Sequence, residues 1–144
     1  MTTRVQLAIA AEHEGGHTDL MLAALKGQAS TVRTLLESRV DVNARDDEGR
    51  TALMFAVTNM QKDCIKALLA YGADVNVAAN DGGTALMLAA SVGDGEIVRD
   101  LLSKGADVSA KYTASGKTAL MLAKEKGFTE VARLLQEAAG KTKS

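Results

Sequence analysis

Thr51-Ala52-Leu53-Met54, Thr84-Ala85-Leu86-Met87 and Thr118-Ala119-Leu120-Met121 repeat one tetrapeptide, and a close variant, Thr18-Asp19-Leu20-Met21, comes before them. The four threonines are 33, 33 and 34 residues apart. A fixed spacing of this size is typical of a stacked structural unit that buries its apolar side only against its neighbours. The sequence therefore predicts a protein of about four repeats. Its long exposed surface favours binding over catalysis.

Composition narrows the class of protein further. The 144 residues are 47% apolar but only 3% aromatic, which is enough for one domain with an aliphatic core. A net charge of -1 offers no general attraction to nucleic acid or anionic lipid. Cys64 is the only cysteine, so the chain can form neither an internal disulfide nor a cysteine-based zinc site.

The N-terminal region contains no long apolar segment. Its most apolar stretch, 7–11, is too short to cross a membrane and is weak as the core of a signal peptide. We therefore expect a soluble, cytoplasmic monomer that has no membrane contact. A leader removed from the chain stays an open alternative.

Each repeat is predicted to be a pair of antiparallel helices. A threonine hydroxyl caps the first, Ala/Leu/Met-rich helix, and the second helix carries apolar residues at helical spacing, such as Ile65, Leu68 and Leu69. Glycine-containing turns then join one repeat to the next. The predicted segments are a capping helix and turn at 1–17, repeats at 18–50, 51–83, 84–117 and 118–140, and a disordered tail at 141–144.

The stretches Gly72-Ala73-Asp74-Val75-Asn76 and Gly83-Thr84-Ala85-Leu86-Met87-Leu88-Ala89-Ala90 resemble the ankyrin-repeat consensus over about residues 14–140. The resemblance implies an all-α ankyrin-repeat solenoid of antiparallel helix pairs joined by β-turn finger loops. It also implies a protein-binding module without cofactor or metal. Asn43 and Asn76 are expected to hold the loops by hydrogen bonds.

The chain departs from that consensus at several positions. Methionine replaces the usual histidine at Met21, Met54, Met87 and Met121, and we expect all four methionines to pack in the interior. Arg39 and Met60 stand where the other repeats have glycine. At both positions we expect a left-handed backbone that strains a residue with a side chain.

His13-Glu14-Gly15-Gly16-His17 satisfies the H-E-x-x-H pattern of zinc peptidases. That mechanism needs both histidines on one face of a helix. Two glycines inside a helix would cost about 1 kcal/mol each, and the repeat register puts them in a turn. A zinc hydrolase using this motif is the alternative of another class, and the turn is the favoured interpretation. Cys64 is interpreted as a small buried group.

The resemblance to ankyrin repeats implies that partners bind at the finger tips and at the exposed face of the first helix. Carried over by register, the partner-binding residues are predicted to be Asp47, Glu48, Arg50, Thr58, Asn59, Asn80, Asp81, Ser91, Val92, Tyr112, Ser115, Lys117, Glu125 and Lys126. Tyr112 is the strongest single candidate because tyrosine gives a large contact area at low entropic cost. An inhibitor or antitoxin-like regulator that covers a partner's active site, and a structural spacer, stay open as alternatives.

Overall fold

A computed structural model describes residues 12–142 of the chain. Within these residues the polypeptide forms eight α-helices, which confirms the predicted all-α fold of helix pairs. A two-residue antiparallel strand pair, β1 (Glu12–His13) and β2 (His17–Thr18), comes before them. The helices are α1 (Asp19–Lys26), α2 (Ala29–Glu37), α3 (Ala52–Thr58), α4 (Lys62–Ala70), α5 (Ala85–Val92), α6 (Gly95–Ser103), α7 (Ala119–Glu125) and α8 (Thr129–Thr142).

The chain divides into two compact units, with the boundary between Asp74 and Val75. In unit 1, α1 packs against α2 and α3, and α4 packs against α2 and α3. In unit 2, α5 packs against α6 and α7, and α8 packs against α6 and α7. Each unit is therefore two helix pairs laid side by side, with like helices adjacent.

Threonine fixes the start of every first helix, as the sequence predicts. The hydroxyls of Thr18, Thr51, Thr84 and Thr118 accept the backbone amide of the methionine three residues later, at 3.2, 3.4, 3.4 and 3.3 Å. This bond satisfies one of the amides that a helix leaves unpaired at its N-terminus. The repeated Thr-x-x-Met pattern is thus a capping signal as much as a packing signal.

The core is aliphatic. Leu53, Leu86 and Ile97 are almost completely buried, and so are Val32 and Leu68 on the second helices. Cys64 is 1% exposed, as predicted for a small apolar group, and burial together with the charge of Asp63 raises the pKa of its thiol. No helix within residues 12–142 is both long enough and apolar enough to span a bilayer.

The four methionines do not all behave alike. Met21, Met54 and Met87 are at most 3% exposed, but Met121 is 50% exposed, so the prediction that it packs in the interior is wrong. The burial of a first helix requires a further helix pair on its outer side, and no such pair follows α7 and α8 among residues 12–142.

The structure also changes the predicted ends. Residues 1–11, which carry most of the predicted capping helix, lie outside the described residues, while Glu12 and His13 are extended rather than helical. At the other end, α8 continues through Lys141 to Thr142, which the sequence assigned to a disordered tail. Residues 143–144 lie outside the described residues.

Two residues with side chains adopt the left-handed conformation, as predicted. Arg39 has φ 63°, and its matching glycines, Gly72 and Gly105, have φ 88° and 86°. Met60 has φ 52°, and glycines with φ 75° to 78° occupy its matching positions in the other repeats. In this region the side chain crowds the following carbonyl group, which glycine avoids. Both positions therefore carry local backbone strain.

We expect Arg39→Gly to raise the free energy of unfolding by about 1 kcal/mol, because it removes this strain. For a chain of this length the gain corresponds to a rise in melting temperature of about 3 °C. Thermal denaturation followed by circular dichroism measures it. Ser38→Gly, one residue earlier at φ -79°, is the control and should lower stability. An unchanged or lower melting temperature for Arg39→Gly would contradict the prediction.

Candidate functional site

The finger tips are the turns just before the capping threonines, and three of them share one backbone plan. In finger 2 (45–50), finger 3 (78–83) and finger 4 (112–117), a backbone hydrogen bond closes the loop: Asp46 N to Arg50 O, Ala79 N to Gly83 O, and Tyr112 N to Lys117 O, at 2.8 to 3.0 Å. The chain therefore returns to the helix layer at a fixed point in each repeat.

A side chain caps the amide of the last residue of each of these tips. Asp46 Oδ1 accepts from Arg50 N at 2.8 Å, and Asp81 Oδ1 accepts from Gly83 N at 2.8 Å. In finger 4, Ser115 Oγ accepts from Lys117 N at 3.2 Å. Asp81 and Ser115, both predicted to bind a partner, therefore also stabilise their own loops.

Asp46 is the centre of a polar cluster in unit 1. Its side chain is fully buried and accepts hydrogen bonds from the amides of Glu48 and Arg50 and from Arg50 Nε at 2.9 Å. His17 Nε2 lies 3.3 Å from Asp46 Oδ2. Phe55 joins the cluster through the Arg50 guanidinium, 4.9 Å from its ring centroid, and through the His17 ring, 5.5 Å away edge to face.

These contacts hold Asp46 in its charged form. Burial by itself raises the pKa of Asp46, but the hydrogen bonds and charge of Arg50, with the amide of Glu48, outweigh burial and lower that pKa below its usual value. Because the folded state favours the carboxylate, Asp46 stabilises the fold above the pKa of an unfolded aspartate and loses this contribution in acid.

Backbone hydrogen bonds also join neighbouring fingers within each unit. Asp47 N donates to Gly15 O in unit 1, and Thr113 N donates to Asp81 O in unit 2, both at 2.9 Å. Glycine permits this approach: a Cβ on Gly82 would lie 2.7 Å from Lys111 O. Within a unit the two tips are therefore a preorganised pair.

The zinc-site pattern does not form a metal-binding helix. Gly15 and Gly16 have φ 79° and 76°, and the backbone turns there so that His13 pairs with His17 across β1 and β2. The two histidines are therefore not one helical turn apart. Across the described part of the chain, no group of three or more His, Cys, Asp or Glu residues is arranged to hold a metal ion.

In unit 1 the predicted partner-binding residues fall into two groups. Asp47, Glu48 and Thr58 are exposed, whereas Arg50 is half-buried and engaged with Asp46 and Phe55. Asn59 is exposed, but its Nδ2 donates to Leu25 O in the previous repeat at 2.9 Å. Arg50 and Asn59 therefore stabilise the fold, whether or not they also contact a partner.

Unit 2 shows the same division. Asn80, Asp81 and Ser115 are exposed, whereas Ser91 and Val92 are half-buried. Lys126, at the register of Asn59, donates to Ser91 O at 3.0 Å, so both side chains bind the same carbonyl position of the repeat before. Lys117 Nζ pairs with Glu125 Oε1 at 2.9 Å. That any of the predicted residues contacts a partner stays a prediction.

Tyr112 is half-buried rather than fully exposed. Its ring covers Gly83, where a Cβ would lie 2.9 Å from Tyr112 Cε1 and 3.0 Å from Asp81 Oδ1. Burial, and after it the charge of Asp81, raise the pKa of the Tyr112 phenol. The ring thus lies against Gly83 on the finger surface, beside a carboxylate.

A row of candidate binding residues that lie four positions after each capping threonine was missed by the sequence analysis. Leu22, Phe55, Leu88 and Leu122 are half-buried there, although most apolar residues of the first helices are fully buried. The register itself was the available signal, because all four positions are large and apolar. Each unit therefore offers two partly exposed apolar side chains beside its finger tips.

The Asn loops behave as predicted. Asn43 Oδ1 accepts from Asp74 N at 2.8 Å in unit 1, and Asn76 Oδ1 accepts from Asp107 N at 2.7 Å in unit 2. Asn76 Nδ2 also donates to Gly105 O at 3.0 Å. These side chains join successive loops in each unit and hold the helix pairs in register.

Comparison with known proteins supports the same repeat. A family model described as ankyrin repeats matches three overlapping stretches, 4–79, 20–112 and 77–143, which together cover nearly the whole chain. No curated protein matches the sequence significantly.

Proposed function

This chain belongs to the ankyrin-repeat family, and from that premise we propose that it binds a partner protein, without catalysis, through its finger tips and the exposed face of its first helices. Ankyrin repeats are in general protein-protein interaction modules.

One observation carries the proposal: in each unit the fingers are held rigidly while polar side chains at their tips stay exposed. Backbone bonds link Asp47 to Gly15 and Thr113 to Asp81, and side chains cap the turns from within. A surface fixed before binding loses little conformational entropy when a partner docks, and this raises affinity. Half-buried apolar residues beside the tips add contact area.

The two finger surfaces differ in charge. The exposed acidic residues of unit 1 include Glu14, Asp47 and Glu48, whereas finger 4 in unit 2 carries Lys117, next to the exposed Lys111. Charge patterns of this kind act mainly on association rate and on the choice of partner. We therefore propose that each unit contacts a different part of the partner.

The test is affinity capture from host lysate with two surface variants, one per unit. Glu48→Arg with Thr58→Arg alters unit 1, and Ser115→Glu with Lys117→Glu alters unit 2. We expect each to reduce recovery of the specific partner at least ten-fold, because like charges and bulk now face it. Quantitative mass spectrometry of the captured proteins measures the loss.

Matched controls carry the same residue changes on second helices. Glu37→Arg with Thr34→Arg lies on α2, and Ser103→Glu with Lys104→Glu lies at the end of α6, all four positions being exposed. The controls should recover the partner like the wild type. Equal recovery by surface and control variants, or greater loss in the controls, would show that the binding surface lies elsewhere.

A further inference from the structure

One register position differs between finger 3 and the other fingers. In repeats 1, 2 and 4 the residue just before the capping threonine is His17, Arg50 and Lys117, respectively. In repeat 3 it is Gly83. In finger 2 this residue pairs with carboxylates, as Arg50 does with Asp46 at 2.9 Å and with Glu48 at 3.4 Å. In finger 4, Lys117 pairs with Glu125. Finger 3 therefore lacks the basic side chain that the other fingers provide.

The groups that such a basic side chain would meet are nevertheless present. Asp81 Oδ1 and Tyr112 Cε1 both lie about 3 Å from the point where a side chain on Gly83 would begin, so they are less than 6 Å apart. Asp81 is exposed, and its carboxylate makes no ion pair with any residue among 12–142. Within the described part of the chain, a carboxylate that makes no ion pair thus stands beside an aromatic ring.

In unit 1 a different carboxylate and aromatic ring, those of Asp46 and Phe55, show how two such groups hold one cation. There the Arg50 guanidinium lies 4.9 Å from the Phe55 ring centroid while it also bonds to the Asp46 carboxylate. An aromatic face and a carboxylate attract a cation by independent electrostatic effects. In unit 1 the chain supplies the cation itself, whereas no basic side chain among residues 12–142 pairs with Asp81.

We propose that Tyr112 and Asp81 form a site for a basic side chain, arginine or lysine, of the partner protein. This inference rests on the proposed function and names the chemistry of one contact within it. Tyr112 is held over Gly83 and Asp81 is fixed by its hydrogen bond to Gly83 N, so neither group has to be ordered when the cation arrives.

The probe is a phage-displayed random dodecapeptide library, selected on the wild-type chain. Selected peptides are synthesised, and their affinities are measured by fluorescence anisotropy before and after each basic residue is changed to glutamine. For one such basic residue, we expect the change to glutamine to weaken the affinity of the peptide for the wild-type protein about ten-fold. The same change should weaken the affinity of the peptide for the Asp81→Asn protein less than about two-fold. Asparagine keeps the oxygen that caps Gly83 N, so the loop is preserved.

Variants of Tyr112 separate an effect of the ring face from simple apolar contact. Tyr112→Phe keeps the ring and should bind within two-fold of the wild type, whereas Tyr112→Leu should bind about three- to five-fold more weakly. Asp100→Asn on α6 and Tyr71→Leu in unit 1 remove the same groups elsewhere, and both should bind like the wild type.

The site is overturned, and the proposed function left intact, if the basic residues of the selected peptides show no coupling to Asp81. Equal affinity of these peptides for Tyr112→Leu and Tyr112→Phe has the same consequence. A selection that yields no binding peptide overturns both. Coupling to Asp81 with retention in Tyr112→Phe supports the site.

Discussion

Asp46→Ala is expected to lower the free energy of unfolding by about 3 kcal/mol, because it leaves a buried set of donors without their acceptor. The lost carboxylate accepts the amides of Glu48 and Arg50 and the Arg50 side chain, and it faces His17. Without it, finger 2 loses its internal cap and its side-chain contact with His17, while the backbone bond from Asp47 N to Gly15 O remains. Urea denaturation followed by circular dichroism measures the loss.

Glu48→Ala is the control, since the Glu48 side chain is 71% exposed and meets Arg50 only at 3.4 Å. It should change stability by less than about 0.5 kcal/mol. Asp46→Asn should fall between the two, because it keeps an acceptor for the amides but loses the charge. A loss for Asp46→Ala no larger than that for Glu48→Ala would show that the cluster does not stabilise the fold.

Asp46 also makes the stability of the fold depend on pH, in a direction that its pKa fixes. The pKa of Asp46 is lowered in the folded chain, so its charged form contributes fully above the unfolded pKa of about 3.9 and loses this contribution as the pH falls through the folded value. The stability difference between wild type and Asp46→Asn should shrink as the pH falls below about 4. A difference that grows as the pH falls below about 4 would contradict this sign.

Gly93→Ala is expected to destabilise the chain by about 2 to 4 kcal/mol, from backbone strain plus overpacking. Gly93 has φ 78°, and a Cβ there would lie 2.8 Å from Cε1, Cε2 and Cζ of Phe128. The ring belongs to the next repeat of the same unit and would have to move away. Thermal and urea denaturation of the purified variant measure the effect.

Gly127→Ala isolates the backbone part of that effect. Gly127 occupies the same register with φ 75°, but nothing lies within 4 Å of the position of its Cβ, so only about 1 kcal/mol should be lost. In a Phe128→Ala background, Gly93→Ala should likewise cost only about 1 kcal/mol. Equal losses for Gly93→Ala and Gly127→Ala would rule out the ring contact as a cause.

The repeat architecture could be predicted from sequence because its signals are local and recur. The capping threonines, the helix pairs, the loop asparagines and the left-handed Arg39 and Met60 all follow from register, and the structure confirms them. The prediction for Met121 was wrong because the register gives the position of a side chain within its repeat and not whether a neighbouring helix pair covers that side chain. Burial depends on the neighbouring repeat, which the sequence of a single repeat does not encode.

The candidate surface was only partly accessible to sequence reasoning. Register found many exposed positions but also included half-buried ones such as Ser91 and Val92. It did not reveal that Asn59 and Lys126 bind carbonyls of the preceding repeat or that Tyr112 covers Gly83. Those contacts join residues about 30 positions apart and depend on side-chain reach rather than on any local pattern. The Asp46 cluster was missed for a different reason: its hydrogen bonds are mostly local, and in the sequence Asp46 looks like an ordinary turn aspartate.

The interchangeable caps of the fingers bear on how such chains diverge. The same amide is satisfied by Asp46 from one position of the turn in finger 2, and by Asp81 or Ser115 from a later position in fingers 3 and 4. A lineage could therefore acquire a second cap before it loses the first, and the vacated site would then be open to selection. New recognition could evolve in small steps while the loop conformation is inherited unchanged.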